Sequence, residues 1–431
     1  MAQRPLATEA RGLVLAGDRE GARQLVVQLV AEVTGREVTA LSINTDQYSL
    51  NSVNGRAELD GGERYFFKFH SEEGEESTIA EYYNAELLRD AGYLVDVPSF
   101  ANGEPGRQIL LYRLRDELRL ADVARAVELG LPGAEDASAV AAAQRERDRR
   151  NGSILLSSLH EAAPEAMVAE PIHQLFSKRL QGDGATPGRG GRVASFYVGQ
   201  EFQLGDVSLG WDELAALRWR VNGTEYGQTL GQLFDEAGTR MLPEQLTSSG
   251  AVVAHGDDHN ANIWYSPVPG GTAELIAFDP AFAGRHLPSL LAEIKATFHN
   301  SLAHPLWLYE PGLATERYSA SVAVRDGMLV VEHDWEPSPL RREFLRSRAE
   351  EVWKPLLAEL DNRGWLPADW RRVIRLGLFL CPTLVLNLRA GTRNGHTPVT
   401  SAIGLGVAVA CGAEPVVGTD LVREFIDSIA P

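Results

Sequence analysis

The sequence predicts an α+β protein with a hairpin-rich N-terminal part and a longer, mainly helical C-terminal part. Residues 41–116 alternate short apolar runs with turn residues, and Asp60–Gly62 before Tyr65–Phe69 is a strong hairpin signal. Later segments such as Arg341–Asn362 have the apolar spacing of amphipathic helices. At 431 residues the chain is long enough to bury a large core, which favours two lobes.

The N-terminal elements follow in a definite order. Residues 1–40 are typical of helices, and we expect them to form an N-terminal helical addition. Residues 41–116 would form the smaller lobe, in which the strand after the hairpin turn carries Lys68. A helix from near Glu75 to Arg89 follows that strand.

The most informative segment is the polar loop His255-Gly-Asp-Asp-His-Asn-Ala-Asn262. Apolar runs that read as buried strands stand on both sides of it. A turn-rich stretch and a returning strand, Leu275–Phe278, then lead to Asp279. We expect this hairpin to bring Asp279 beside Asn262.

These residue types suit phosphoryl transfer, which depends on positioning and on neutralising charge. Asp257 and Asn262 have the spacing of the aspartate and asparagine in a kinase catalytic loop. Asp257 would take the proton of a hydroxyl group. Asn262 and Asp279 offer the hard oxygen ligands that magnesium prefers, and Lys68 would neutralise nucleotide phosphates.

The loop resembles the aminoglycoside phosphotransferase and choline kinase-like superfamily, because it matches the pattern His-Gly-Asp-x-His-x-x-Asn at every fixed position. The resemblance implies a two-lobed protein kinase-like fold. This fold has a small antiparallel-sheet N-lobe and a larger, mainly helical C-lobe, residues 117–431 here, with insertions. The implied cofactors are ATP and Mg²⁺. The implied roles are Asp257 as catalytic base, His255 and His259 as supporting residues, and Asn262 and Asp279 as metal ligands.

The same resemblance implies roles in the N-lobe. Relatives use a Ser/Asn-rich loop to hold nucleotide phosphates, and here Ser49–Gly55 stands at that point. The donors in this loop would be Ser49, Asn51 and Ser52. Glu81, on the helix after the lysine strand, would pair with Lys68, and Glu86 is the alternative. The stretch Leu118–Val123 resembles the hinge between the lobes.

Composition limits the partners. The chain has 41 basic and 59 acidic residues, a formal net charge of −18, which disfavours nucleic acid because a nucleic-acid site needs a cationic face. The same charge permits a cationic acceptor. Cys381 and Cys411 lack metal-binding spacing and are compatible with a cytoplasmic location. No apolar run approaches the roughly 20 residues that span a membrane, so we expect no membrane partner.

Three further segments have a composition that indicates their local structure. The Ala-, Arg- and Asp-rich stretch 131–152, with the charge run Gln144–Arg150, predicts a solvated helix or a flexible insert. The glycine-rich stretch Gln181–Gly191 lacks the strand–turn–helix context of a phosphate loop, and a lid or acceptor-site loop is its alternative role. Val322–Val331 predicts a hairpin around an Asp-Gly turn.

The resemblance therefore implies an ATP- and magnesium-dependent transferase of the γ-phosphoryl group. The acceptor would be a hydroxyl of a small molecule: an aminoglycoside or other antibiotic, a sugar or amino sugar, or a choline-like alcohol. Two alternatives stay open. One is a non-catalytic nucleotide-binding regulator of the same fold. The other is a kinase-fold enzyme that transfers a nucleotidyl group or acts on a protein.

Overall fold

The structure, a computed structural model, describes residues 4–44, 52–70, 76–182, 188–303 and 305–431, without the side chains of 52, 70, 76–81 and 305. The chain divides into two units. The smaller unit is Met1–Leu118 with Ile276–Ala281, and the larger unit is Arg119–Leu275 with Phe282–Pro431.

The smaller unit is an antiparallel sheet with helices. Its helices are α1 (Leu6–Leu15), α2 (Arg19–Thr34) and α3 (Glu76–Ala91). Its strands are β1 (Val38–Ile43), β2 (Ser52–Leu59), β3 (Arg64–His70), β4 (Phe100–Asn102) and β5 (Ile109–Arg113), and β6 (Leu118–Arg119) crosses the unit boundary. The sheet order is β1-β2-β3-β5-β4, with every neighbouring pair antiparallel.

The predicted hairpin turn joins β2 to β3. Gly62 has a φ of +79°, a conformation that glycine adopts without a steric cost. The register pairs Glu58 with Arg64 and Asn54 with Lys68, so the turn fixes the place of the lysine in the sheet. Phe67 and Phe69 of β3 are buried in one core with apolar residues of α1 and α2. The two N-terminal helices therefore pack on the sheet of this unit.

The larger unit is mainly helical. Its α-helices are α4 (Leu120–Leu129), α5 (Ala137–Ser158), α6 (Pro164–Val168), α7 (Ser177–Gln181), α8 (Gly191–Phe196), α9 (Trp211–Ala216), α10 (Leu230–Arg240), α11 (Ile294–Thr297), α12 (Pro305–Tyr309), α13 (Pro311–Arg317), α14 (Pro339–Arg348), α15 (Lys354–Asn362), α16 (Trp370–Val385), α17 (Pro398–Gly412) and α18 (Leu421–Ser428). Short 3₁₀ segments cover Pro171–Leu175, Pro243–Ser249 and Asn260–Asn262, and π-helical turns cover Phe298–Leu302 and Ala349–Trp353.

The strands of the larger unit are short. They are β7 (Glu201–Leu204), β8 (Val207–Gly210), β9 (Arg218–Val221), β10 (Thr224–Tyr226), β11 (Ala251–Ala254), β12 (Ile263–Ser266), β13 (Glu274–Ala277, which crosses the boundary), β14 (Gly284–Pro288), β15 (Ala320–Arg325), β16 (Met328–His333) and β17 (Pro415–Val417). One sheet has the order β15-β16-β9-β10-β17, and β11 pairs with β14. Asp326 and Gly327 both have positive φ in the β15–β16 turn, which confirms the predicted Asp-Gly hairpin. The α+β class is confirmed.

The helix α5 corrects one expectation. The sequence predicts a solvated helix or a flexible insert at the charge run. The segment does form a 22-residue helix, but Gln144, Arg147, Asp148 and Asn151 are buried in it. These residues recur at helical spacing and so lie on one face. Apolar periodicity misses a buried face of this kind, because the face is polar and Arg147, Asp148 and Asn151 find hydrogen-bond partners elsewhere in the unit.

The core of the larger unit surrounds the long apolar helices. Trp219, Trp307 and Trp353 are fully buried there, and α16 continues through Pro382 without ending. Among the described residues, no helix combines the length and the apolar character needed to cross a membrane.

Candidate active site

The predicted catalytic loop begins directly after β11, whose four residues are all buried. Gly256 then turns the chain with a φ of +76°. A Cβ atom at this position would lie 2.6 Å from the carbonyl oxygen of Phe282, so any side chain would clash with the backbone. Glycine is therefore required here by both conformation and space, and it sets the direction in which Asp257 leaves the strand.

Asp257 is a largely buried carboxylate with one uncommitted oxygen. Its side chain is 15% exposed, and Oδ1 has no hydrogen-bond partner within the described part of the chain. Burial by itself would raise the pKa of Asp257, but the Lys295 ammonium, 3.5 Å from Oδ1, and further cationic groups hold it below its ordinary value. Asp257 is therefore charged at neutral pH and able to accept a proton.

Asn262 is held against the backbone of the same loop. Its Nδ2 donates to the carbonyl oxygen of Asp257 at 3.0 Å, and its backbone N–H donates to the carbonyl of His259 at 2.7 Å. Because the amide nitrogen is engaged, the side-chain oxygen remains as the atom that can meet a cation. An amide oxygen is a ligand that magnesium accepts, so Asn262 fits the predicted role.

The two histidines of the loop lie on either side of Asp257. His255 is buried, and its Nδ1 accepts a long hydrogen bond of 3.4 Å from the Asp257 backbone N–H. The Nε2 atom of His259 is 3.8 Å from Asp257 Oδ1, and its ring lies 5.2 Å from the His299 ring. Burial lowers the pKa of His259, so this imidazole is neutral near pH 7.

The neighbouring Asp258 is fully engaged, in contrast to Asp257. It is 2% exposed, and it accepts hydrogen bonds from Arg147 to one oxygen and from Asn151 to the other, the latter at 3.0 Å. Burial opposes ionisation, but Arg147 lowers the pKa of Asp258 to about 2. We call Arg147, Asn151 and Asp258 the clamp, because it fastens the loop to α5.

In the smaller unit, Lys68 meets the second predicted metal ligand. Lys68 Nζ lies 2.9 Å from Asp279 Oδ1, and the Lys68 side chain is 13% exposed whereas that of Asp279 is 45% exposed. Asp279 has a φ of +58°, which is uncommon outside glycine. A non-glycine residue in this region indicates a position under a functional or packing constraint.

Hydrogen bonds fix the segment that carries Asp279. The N–H of Ala277 donates to the Leu94 carbonyl at 2.8 Å, and the Asp96 N–H donates to the Ala277 carbonyl at 2.7 Å. Asn84 Nδ2 donates to the carbonyl of Pro280 at 3.1 Å. The Asp279 backbone is thus held on both sides by the smaller unit.

Some predicted residues lie outside the described part of the structure. Ser49 and Asn51 belong to the undescribed range 45–51, and the side chains of Ser52 and Glu81 are not described either. The alternative residue Glu86 accepts from the hydroxyl of Tyr82 at 3.2 Å and lies 3.5 Å from the Arg89 guanidinium. The roles of the phosphate loop and of Glu81 stay predictions.

The structure thus groups the predicted residues in two places. His255, Asp257, His259 and Asn262 lie together in the larger unit, and Lys68 and Asp279 lie together in the smaller one. Sequence reasoning assigned no role to Lys295 or to the clamp. Pairings over such sequence distances leave no local signal.

Comparison with known proteins gives similarity only among solved structures, since no family model and no curated protein matches the chain. The macrolide 2′-phosphotransferase MphH from Brachybacterium faecium is 11% identical, with 92% of this chain and 99% of that chain covered and a TM-score of 0.36. The aminoglycoside phosphotransferase APH(3″)-Id from Streptomyces rimosus is 13% identical, with 83% and 97% covered and a TM-score of 0.37.

A structure of an aminoglycoside phosphotransferase, APH(2″)-IIIa, with GDP and kanamycin is also similar, at 12% identity and a TM-score of 0.34, covering 83% of this chain and 89% of that one. These proteins are phosphotransferases, the class that the loop motif resembles. TM-scores of this size are low, and the similarity by itself assigns no function to this chain.

Proposed function

We propose that this protein is an ATP- and magnesium-dependent phosphotransferase that transfers the γ-phosphoryl group to a hydroxyl of a small molecule. One observation carries the proposal: Asp257 is charged, nearly buried and fixed in place, yet its Oδ1 has no hydrogen-bond partner among the described residues. A general base must combine these properties, because it has to be ionised, oriented and able to receive a proton.

The reaction then follows from the position of Asp257. The acceptor hydroxyl donates its proton to the Asp257 carboxylate as its oxygen forms a bond to the γ-phosphorus. The bond between that phosphorus and the β–γ bridging oxygen breaks, and ADP leaves with the electron pair. Because the transition state of such transfers is loose, Asp257 acts first by orienting the hydroxyl and only late as a base.

Lys68 and Asp279 support a phosphate-binding role for the smaller unit. The Lys68 ammonium and the Asp279 carboxylate lie 2.9 Å apart. A phosphate oxygen could take the place of the carboxylate beside Lys68, and a cation could take the place of the ammonium beside Asp279. Asp279 and Asn262 would hold magnesium, and both offer the hard oxygen atoms that this ion prefers. Magnesium, when bound, neutralises charge on the phosphates.

The test is magnesium-dependent release of ADP from ATP with a panel of aminoglycosides, macrolides, sugars, amino sugars and choline-like alcohols. We expect one class to stimulate release, and Asp257→Asn to reduce it about 10²–10⁴-fold, the usual contribution of a general base, while ATP binding is retained. Asp326→Asn is the matched control, because Asp326 lies in an exposed turn and asparagine tolerates its φ of +51°. Near-normal turnover of Asp257→Asn would overturn the mechanism.

The product identifies the reaction class. ADP with a phosphorylated acceptor supports the proposal. AMP transfer with pyrophosphate release would indicate a nucleotidyl transferase, and ATP binding without turnover of any compound would indicate a regulator. Each of these two results contradicts phosphoryl transfer to a small molecule.

The phosphate side has a separate test. Lys68→Met is expected to weaken ATP binding by about tenfold or more, which corresponds to about 1.4 kcal/mol, in equilibrium titrations that do not depend on turnover. Lys354→Met is the control, since Lys354 is an exposed lysine of the other unit. Equal ATP affinity of the two variants would remove Lys68 from the nucleotide site.

A further inference from the structure

The carboxylate of Asp257 lies against a buried lysine that the mechanism above does not use. Lys295 on α11 is 4% exposed, and its Nζ lies 3.5 Å from Asp257 Oδ1. Oδ1 is itself shielded from solvent and accepts no hydrogen bond from a described residue, so the 15% exposure of the Asp257 side chain belongs to its other atoms. Lys295 therefore approaches the carboxylate from the protein interior and leaves its solvent-facing side open.

His299, one helical turn after Lys295, fixes the position of the ammonium. Their Nε2 and Nζ atoms lie 3.1 Å apart, and the histidine nitrogen is the acceptor because an ammonium can only donate. Burial, and then Lys295, hold the pKa of His299 well below its ordinary value, so the neutral ring keeps the lone pair that this hydrogen bond needs. The other ring near Oδ1, that of His259 at 3.8 Å, is neutral as well. Within the described ranges, Lys295 is thus the one positive charge at ion-pair distance from Asp257.

The segment that carries Lys295 contacts the predicted catalytic loop at a second point. Asn300 Oδ1 accepts a hydrogen bond of 2.8 Å from the backbone N–H of Asn260. The π-helical turn around Asn300 is held in turn by Arg341, whose Nη1 donates to three carbonyls in and next to the turn. Single π-turns are frequent at functional sites. The backbone behind Lys295 is therefore fixed by contacts other than the ion pair with Asp257.

We propose that Lys295 is a positioning residue for Asp257, which holds the inner oxygen of the carboxylate by charge and so turns its open side toward the acceptor hydroxyl. The proposal rests on the proposed phosphotransferase function. An aspartate side chain can rotate about two bonds, and a hydrogen bond to Oδ1 would restrain it only by engaging a lone pair. An ion pair at 3.5 Å restrains it without that bond, and burial keeps the attraction from being screened by salt. Orientation matters because a misplacement of about 1 Å can cost about 10²-fold in rate.

The first test is the kinetics of Lys295→Met, which keeps most of the side-chain volume and removes the charge. With the acceptor class that stimulates ADP release, we expect kcat to fall by about 10²-fold while the KM for ATP stays within about twofold. Lys354→Met is the matched control, because Lys354 is an exposed lysine, and it should leave both constants unchanged. Equal kcat values for the two variants would overturn the inference.

A double-mutant cycle with Asp257→Asn separates positioning from general support of the fold. If Lys295 acts through the carboxylate, Lys295→Met should change the residual kcat of Asp257→Asn by no more than about twofold. A loss as large in that background as in the parent protein would show that Lys295 acts without Asp257, which contradicts the proposal.

Two variants of His299 test the same link while the charge of Lys295 is kept. His299→Gln places an amide oxygen where Nε2 accepts from Lys295, whereas His299→Leu removes the acceptor. We expect His299→Leu to lower kcat by about tenfold, the equivalent of one hydrogen bond, and His299→Gln to retain most of the activity. The same kcat for both variants would show that the hydrogen bond to Lys295 positions nothing.

Urea titrations measure the ion pair without turnover. Lys295→Met leaves a buried carboxylate without its cation and should lower the midpoint of unfolding, and adding Asp257→Asn should recover most of the loss. Absence of any recovery would refute the ion pair and the inference with it. If no compound stimulates ADP release by the parent protein, the proposed function fails together with the role of Lys295 in it. An active parent with an equally active Lys295→Met refutes the role of Lys295 alone.

Discussion

Arg147→Met tests whether the clamp behind the predicted catalytic loop holds that loop in place. Arg147 is 6% exposed and donates to the carboxylate of Asp258, which is 2% exposed, across 111 positions of sequence. Methionine keeps most of the side-chain volume and removes the charge. The substitution therefore leaves a buried carboxylate with Asn151 as its remaining hydrogen-bond partner within the clamp.

The magnitude follows from the pKa of Asp258. Burial acts to raise it, yet Arg147 and further cationic groups bring it from 3.8 down to about 2. A shift of this size is worth about 2 kcal/mol of folding free energy. Because the pKa is depressed in the folded state, this stability is present above pH 4 and is lost as the pH falls toward 2. Breaking a buried pair from one side costs about 3–5 kcal/mol, so we expect a loss of about 2–5 kcal/mol at pH 7.

Urea titration at pH 7 measures the free energy of unfolding, and ADP release measures the effect on the loop. Arg149→Met is the control, because Arg149 is two residues away on the same helix but 56% exposed, and we expect it to change stability by less than about 0.5 kcal/mol. Adding Asp258→Asn to Arg147→Met should recover most of the loss, since no uncompensated charge then remains. Equal stability of the Arg147 and Arg149 variants would refute the clamp.

Three further predictions concern the loop, its support and the phosphate side. Gly256→Ala should abolish ADP release, because its Cβ would lie 2.6 Å from the Phe282 carbonyl oxygen, and a kinetic assay checks this. Burial raises the pKa of Glu293 to about 7, so the free energy of unfolding should fall as the pH rises from about 4.5 to 7. Urea titrations of Glu293→Gln should show a weaker dependence on pH over this range. Asp279→Asn should raise the magnesium concentration needed for half-maximal ADP release, and loss of its ion pair with Lys68 should leave the fold intact by circular dichroism.

The parts of the fold and site that sequence alone predicts are those with local signals. The hairpin before Lys68 follows from an Asp-Gly-Gly turn, and the loop from Asp257 to Asn262 follows from a fixed spacing. In each case the structural reason acts within a few residues: a positive φ at glycine, or a side chain bonded to the backbone of its own loop. The position of Asp279 can be predicted for the same reason, because it follows the end of a returning strand.

The position of Lys295 beside Asp257 could not be predicted from the sequence, and the reason is geometric. The segment predicts one regular helix from Leu290 to Leu302, but the chain forms a short α-helix, Ile294–Thr297, followed by a π-helical turn, Phe298–Leu302. A π-turn changes the residues per turn, so the faces of the segment cannot be read from a 3.6-residue period. Only the folded chain shows that Lys295 lies 3.5 Å from the carboxylate of Asp257 and 3.1 Å from the ring of His299.

The two adjacent aspartates show why residue type alone does not identify a base. Asp257 and Asp258 carry the same carboxylate, and both have pKa values below the ordinary one. Asp258 gives both oxygens to hydrogen bonds from the clamp, whereas Asp257 Oδ1 faces a lysine at ion-pair distance and accepts no hydrogen bond from a described residue. A proton can be accepted readily only where a lone pair is uncommitted. The surroundings therefore engage both oxygens of one aspartate and leave one oxygen of its neighbour without a hydrogen bond from a described residue.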